Sequence, residues 1–86
     1  MDTYKIEWKR SAIKELQRLP RQMRLKVVAA VDNLSSNPYP QGVRKLVSTE
    51  NSYRIRIGDY RLLYNITQHK LIIEIIRVGH RKDIYR

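Results

Sequence analysis

The sequence contains no cysteine, which removes disulfide staples, thiolate metal sites and thiol nucleophiles together. Acidic residues are scarce: 8 Asp plus Glu stand against 18 Lys plus Arg, a formal charge of +10 on 86 residues. With 2 histidines and no acidic cluster, the donor set for a metal is missing as well, so no metal and no small-molecule cofactor are expected. No apolar run approaches the roughly 20 residues that span a bilayer. The N-terminal stretch Met1 to Arg10 lacks the apolar core of a secretory signal, so a cytoplasmic protein with no membrane partner is expected. Glycine-rich phosphate loops, nucleophile elbows and a Ser-His-Asp order are also absent. What is abundant is positive charge, and so strong a field on so small a body favours polyanions: RNA, DNA, a ribosome or an acidic protein.

The length allows one domain, residues 1–86, with a modest core. Tyr4, Ile6 and Trp8 alternate with Lys5 and Glu7, the pattern of a half-buried strand. Near Arg10 the period changes. Ala12, Ile13, Leu16 and Leu19 form a helical apolar stripe, while Arg10, Lys14 and Arg18 recur on the other side. Pro20 breaks that helix and opens a second over about residues 21–35, with Met23, Val27, Val31 and Leu34 as its buried line. A turn-rich stretch from Ser35 to Gly42 follows, then an irregular segment to Asn51. Strands are expected near 52–57, 60–67 and 70–78, joined by turns at Gly58-Asp59 and Gln68-His69. The expected fold is α+β, in the order β-α-α-β-β-β: an antiparallel sheet with a helical hairpin packed on one face.

A two-residue turn at Gly58-Asp59 sets Ile57 opposite Tyr60, Arg56 opposite Arg61, Ile55 opposite Leu62 and Tyr53 opposite Tyr64. The apolar members then share one sheet face, and Arg54, Arg56 and Arg61 share the other. Like charges set opposite each other are destabilising, so the cluster points to an anionic ligand; guanidinium forks match phosphate oxygens. Arg77, Arg81, Lys82 and Arg86 extend the series. Gly79 lets the chain turn back over the sheet, and a helical turn would project Arg81 and Tyr85 the same way. An aromatic beside cations suits base stacking, worth about 1–3 kcal/mol per base. His80, an imidazole next to Arg81, is a candidate proton carrier; His69 reads as turn surface. Glu74 is expected diagonally across from Arg61, as an ion-pair partner.

The segment Tyr53-Arg-Ile-Arg-Ile-Gly-Asp-Tyr-Arg-Leu-Leu-Tyr64 together with Val78-Gly-His-Arg-Lys-Asp-Ile-Tyr85 resembles the RelE/ParE superfamily of type II toxins, and most of all its RelE branch. The likeness covers essentially the whole chain, the helical hairpin and Lys45-Leu46 included. It implies a toxin blocked by a cognate acidic antitoxin, whose amphipathic helix would lie across the helical hairpin or the open sheet edge. For the RelE branch it further implies a metal-free endoribonuclease that enters the ribosomal A site, cuts mRNA and inhibits translation. In that reaction the 2′-hydroxyl attacks its own 3′-phosphate, leaving a 2′,3′-cyclic phosphate and a free 5′-hydroxyl. By motif position Arg54 and Arg56 match the basic pair on the first strand of the hairpin, and Arg61 the phosphate-binding arginine on the next. Arg81 matches the arginine assigned to leaving-group protonation, and Tyr85 the base-stacking tyrosine. The best-known RelE sequences have lysines where Arg54 and Arg56 stand. Arginine keeps its proton, so these two are read as electrostatic, with His80 or a ribosomal group handling protons. The Lys-Leu-x-Gly pattern common in the family reads Lys45-Leu46-Val47-Ser48 here. Two alternatives remain: a ParE-like, non-catalytic inhibitor of gyrase, which the complete arginine and tyrosine set argues against, and a degenerate antitoxin- or nucleic-acid-binding module.

Overall fold

A computed structural model describes residues 3–47 and 50–84. The change of period near Lys9 is a real boundary: strand β1 (Lys5–Trp8) gives way to helix α1 (Arg10–Gln17). Pro20 stands immediately before α2 (Arg21–Ser36), where its missing N–H costs nothing, and its carbonyl accepts the Arg24 N–H at 2.9 Å. Four strands follow, β2 (Arg44–Lys45), β3 (Ser52–Ile57), β4 (Tyr60–Thr67) and β5 (Ile72–His80). They form one sheet in the order β1-β5-β4-β3-β2.

The α+β class and the helices on one face are as expected, but the sheet is mixed rather than antiparallel throughout. β1 runs parallel to β5, Lys5 opposite Ile72 and Trp8 opposite Ile75. The chain's last strand enters between its first strand and the meander, so the direction of that pairing follows from strand parity, which no local pattern encodes. The sequence also hid β2, too short for any alternation, which pairs Arg44 with Arg54 and Lys45 with Tyr53.

The β3–β4 register is the expected one, from Ile57 opposite Tyr60 to Tyr53 opposite Tyr64. Gly58 supplies the positive φ of 60° that the turn requires. The β4–β5 connection differs from the two-residue turn expected at Gln68-His69. A short 3-10 turn, Gln68–Lys70, ends at Leu71 in the left-handed region, φ 54°. Farther along, Tyr64 faces Ile75 while Leu63 faces Arg77, so Ile76 is the extra residue of a β-bulge. Turn and bulge together set Arg61 opposite Gly79 and Glu74 opposite Asn65. The ion pair expected between Glu74 and Arg61 therefore does not form, because the register has moved Glu74 along the sheet; its neighbour on β1 is Glu7.

Ile55, Leu62, Tyr64, Ile66, Ile73, Ile75 and Val78 make the buried sheet face, against Ala12 of α1 and Val27, Val31 and Leu34 of α2. Each such aliphatic side chain contributes about 1.5–3 kcal/mol by leaving water. Met23 is half-buried against this core, as its place in the stripe predicts, but Ile13 is not part of it and is 39% exposed. Tyr64 is fully buried, and its hydroxyl donates to the Pro38 carbonyl at 2.9 Å, tying the segment after α2 to the sheet. Burial, reinforced by the neighbouring phenols of Tyr39 and Tyr53, pushes the Tyr64 phenol well above its ordinary value. Ser52, at the start of β3, donates from its hydroxyl to the Asn65 side chain across the ladder.

Candidate functional site

With Ile55 and Leu62 committed to the helices, strand alternation sends Arg54, Arg56 and Arg61 to the opposite face. There they line a concavity of about 290 Å³ together with Arg44 and Gly42. Arg44 is the residue that sequence reading missed. It joins the cluster because the two residues of β2 pair with β3, and a signal lay nearby: Pro40-Gln41-Gly42-Val43 closes a turn with Val43 N–H to Pro40 carbonyl at 3.1 Å, Gly42 at φ 86°. Such a turn, with glycine at its third position, delivers the next residue to the sheet edge.

Every side chain lining the concavity is a guanidinium, and no carboxylate lies among its lining residues. Arg61 is held in place by its own hairpin, one terminal nitrogen donating to the Tyr60 carbonyl at 3.2 Å and the Gly58 carbonyl at 3.4 Å. That engages one nitrogen of a group with five N–H donors. Arg56 directly faces Arg61, a pairing that lowers stability unless an anion lies between. The arrangement is chemically suited to an oxyanion approached from several sides, phosphate above all.

The other sequence-predicted residues divide. Arg81 follows β5 directly, and its backbone N–H donates to the Asp59 carbonyl at 2.8 Å. The turn it begins is thereby pinned to the β3–β4 turn, at the same end of the sheet as Arg56 and Arg61. His80 pairs with Tyr60 and not with Arg61, so alternation puts it on the helix-facing side. Its ring meets the Tyr60 ring edge-on at 5.4 Å, and its Nδ1 accepts the Lys82 N–H at 3.1 Å. The bulge at Ile76 changes the parity of β5, and His80 is not brought into the arginine concavity. Tyr85 and Arg86 lie outside the described residues, as does Ser48 of the Lys45-Leu46-Val47-Ser48 stretch.

Arg77, read from sequence as part of the phosphate-facing series, is engaged elsewhere. Its Nη2 lies 3.1 Å and its Nε 3.4 Å from the Glu15 carboxylate of α1, and its Nη1 donates to the Ile84 carbonyl at 2.8 Å. No group of three or more metal-ligating side chains occurs among the described residues, and no described helix is long and apolar enough to cross a membrane.

Comparison places this small basic α+β domain, whose sheet carries an arginine-lined hollow on its open face, among bacterial and archaeal toxins. Residues 6–85 match the family model described as ParE toxin of type II toxin–antitoxin system; the chain belongs to this family, and so to the RelE/ParE superfamily of type II toxins. Toxin RelG of Mycobacterium tuberculosis is 34% identical, the alignment covering 96% of this chain and 97% of the relative. Among solved structures, the archaeal RelE–RelB complex from Pyrococcus horikoshii OT3 has a chain that superposes with a TM-score of 0.83 at 30% identity, over 94% of this chain and 98% of that one. The RelBE2 toxin–antitoxin complex from Mycobacterium tuberculosis gives 0.80 at 30% identity, over 92% and 99%.

Proposed function

We propose that the arginine concavity receives a scissile RNA phosphate, and that this toxin is a metal-independent endoribonuclease cutting mRNA in the ribosomal A site and so inhibiting translation. The observation that carries the reading is the convergence of Arg44, Arg54, Arg56 and Arg61 on one hollow without a carboxylate among its lining residues. In the reaction the 2′-oxygen bonds to phosphorus as the P–O5′ bond breaks. The 2′-hydroxyl proton leaves to a base, and the 5′-oxygen takes up a proton. Negative charge on the phosphorane's non-bridging oxygens exceeds that of the ground state, and fixed guanidinium donors stabilise that excess most. Arg61, buttressed by carbonyls of its own turn, is the leading phosphate contact; Arg54 and Arg56 act electrostatically, and Arg81 serves the leaving oxygen. Tyr85 stacks the substrate base, as the resemblance implies. Arginine cannot serve as general base near neutral pH, and His80 is turned toward Tyr60, so the proton acceptor is assigned to the ribosome or to water. Bare RNA is cut poorly, because the ribosome aligns hydroxyl and phosphate.

The relatives solved as RelE–RelB complexes support a cognate antitoxin for this chain as well. An acidic segment would be drawn to the concavity at a salt-sensitive rate. Simultaneous charge reversal at Arg54, Arg61 and Arg81 should slow association markedly; an unchanged rate would mean that the antitoxin avoids this face.

The decisive experiment adds purified toxin to a cell-free translation reaction and maps the mRNA ends. The expected result is blocked synthesis with cuts inside codons and 2′,3′-cyclic phosphate termini. The family description names ParE, so a second reading is carried into the same experiment: intact mRNA with impaired DNA supercoiling would identify a non-catalytic gyrase inhibitor instead. Neither effect would leave a module that binds antitoxin or nucleic acid without catalysis.

A further inference from the structure

β1 stops pairing at Ile75, so the outer edge of β5 beyond the bulge carries backbone groups with no strand of the described residues beside them. Glu15 of α1 occupies that edge. One carboxylate oxygen accepts the Val78 N–H at 3.1 Å, and the other takes the Arg77 guanidinium. Arg77 in turn reaches the Ile84 carbonyl at 2.8 Å. Ile84 is only 2% exposed, and its N–H closes a single helical turn onto the His80 carbonyl at 3.0 Å. A carbon added at Gly79 would lie 3.5 Å from Ile84 Cδ1, so the returning chain packs directly on β5. The segment from Arg81 to Ile84 is thus fastened at both ends: Arg81 N–H to Asp59 at its start, and the Glu15–Arg77 pair at its finish.

We infer that Arg77, oriented by Glu15, is a positioning residue that holds the Arg81 turn in register with the Arg56–Arg61 pair for strand cleavage, an inference that rests on the nuclease reading above. Nε and Nη2 converge on the one Glu15 oxygen, Oε2; two contacts from a planar group fix its plane, and that plane aims the remaining Nη1 at one carbonyl. The reach is from a helix, through a strand residue, to the end of a turn whose first residue is a proposed participant in the chemistry. Lysine cannot substitute: its ammonium offers charge but no fork, and cannot hold carboxylate and carbonyl with the same geometry. Displacing a reacting group by about 1 Å costs on the order of 100-fold in rate, whereas the partly exposed ion pair itself adds little to stability.

The test uses the full-length toxin carrying Arg77→Lys or Glu15→Gln, the latter retaining an acceptor for the Val78 N–H. Three quantities are read on each: amide hydrogen exchange at Arg81 and Ile84, ribosome binding, and single-turnover cleavage on programmed ribosomes. The expected result is faster exchange at both amides, ribosome affinity within about twofold, and cleavage slowed by on the order of 100-fold. Unchanged exchange would overturn the fastening, and faster exchange with wild-type cleavage would overturn its role in positioning; in both cases the nuclease reading survives. A wild-type protein that cuts no mRNA removes the nuclease reading itself, and the positioning role with it.

Discussion

Arg56 and Arg61 face each other across the β3–β4 ladder, and the electrostatic cost of that pairing is the reason to expect an anion there. Replacing Arg61 by Ala should lower single-turnover cleavage by about 100- to 1,000-fold, the usual effect of removing a preorganised oxyanion contact, with ribosome binding changed far less. Equal losses in both would show uniform binding rather than transition-state stabilisation. His80→Ala gives the complementary measurement. Its ring packs on Tyr60 and its Nδ1 is occupied by the Lys82 N–H, so the pH–rate profile should keep its shape; loss of a limb near neutrality would reinstate His80 as a proton carrier. Tyr64 supplies a stability test. Its folded phenol holds its proton beyond the ordinary range, so above about pH 10 the unfolded chain loses a proton that the native state retains. Stability is then complete below that pH and falls as pH rises, by up to ~1.4 kcal/mol per pH unit. Tyr64→Phe should flatten this slope in chemical denaturation at pH 9 to 11, while costing about 1 kcal/mol at neutrality for the lost bond to Pro38.

The β3–β4 hairpin was legible before any coordinates, because a two-residue turn and a period of two leave one register that keeps the apolar residues together. Gly58 carries that register at φ 60°. Gly58→Ala should destabilise by about 1–2 kcal/mol, the penalty of the left-handed region for a side chain, seen as a lowered midpoint in thermal unfolding. The next connection was not legible, and for a physical reason. Leu71 takes a left-handed conformation that its type does not advertise, and the bulge at Ile76 falls in the run Leu71-Ile-Ile-Glu-Ile-Ile, apolar but for Glu74, where more than one register keeps apolar residues on the buried face. Those two irregularities moved Gly79 opposite Arg61, detached Glu74 from its expected partner and turned His80 to the helices. Likewise Arg44 was invisible because a strand of two residues has no period.

For the molecule as a whole, +10 on 86 residues makes association with any polyanion steeply salt-dependent. Raising salt from about 50 to 200 mM should weaken ribosome or RNA binding by orders of magnitude if several phosphates are contacted. A titration of binding against salt measures this directly, and a flat profile would indicate recognition through protein surfaces instead. Thermal stability should respond in the opposite sense, because salt or added phosphate screens the mutual repulsion of the clustered arginines.

Local chemistry was enough to specify the helices, the central hairpin, the class of fold and the arginines that share one face, since each depends on neighbours within a few residues. The parallel pairing of first and last strands, the inclusion of Arg44, the exclusion of His80 and the capture of Arg77 by Glu15 emerged only from the folded chain. They depend on registers and edges set by residues as far apart in sequence as Lys5 and Ile72, and such contacts leave no periodic trace in the residues that make them.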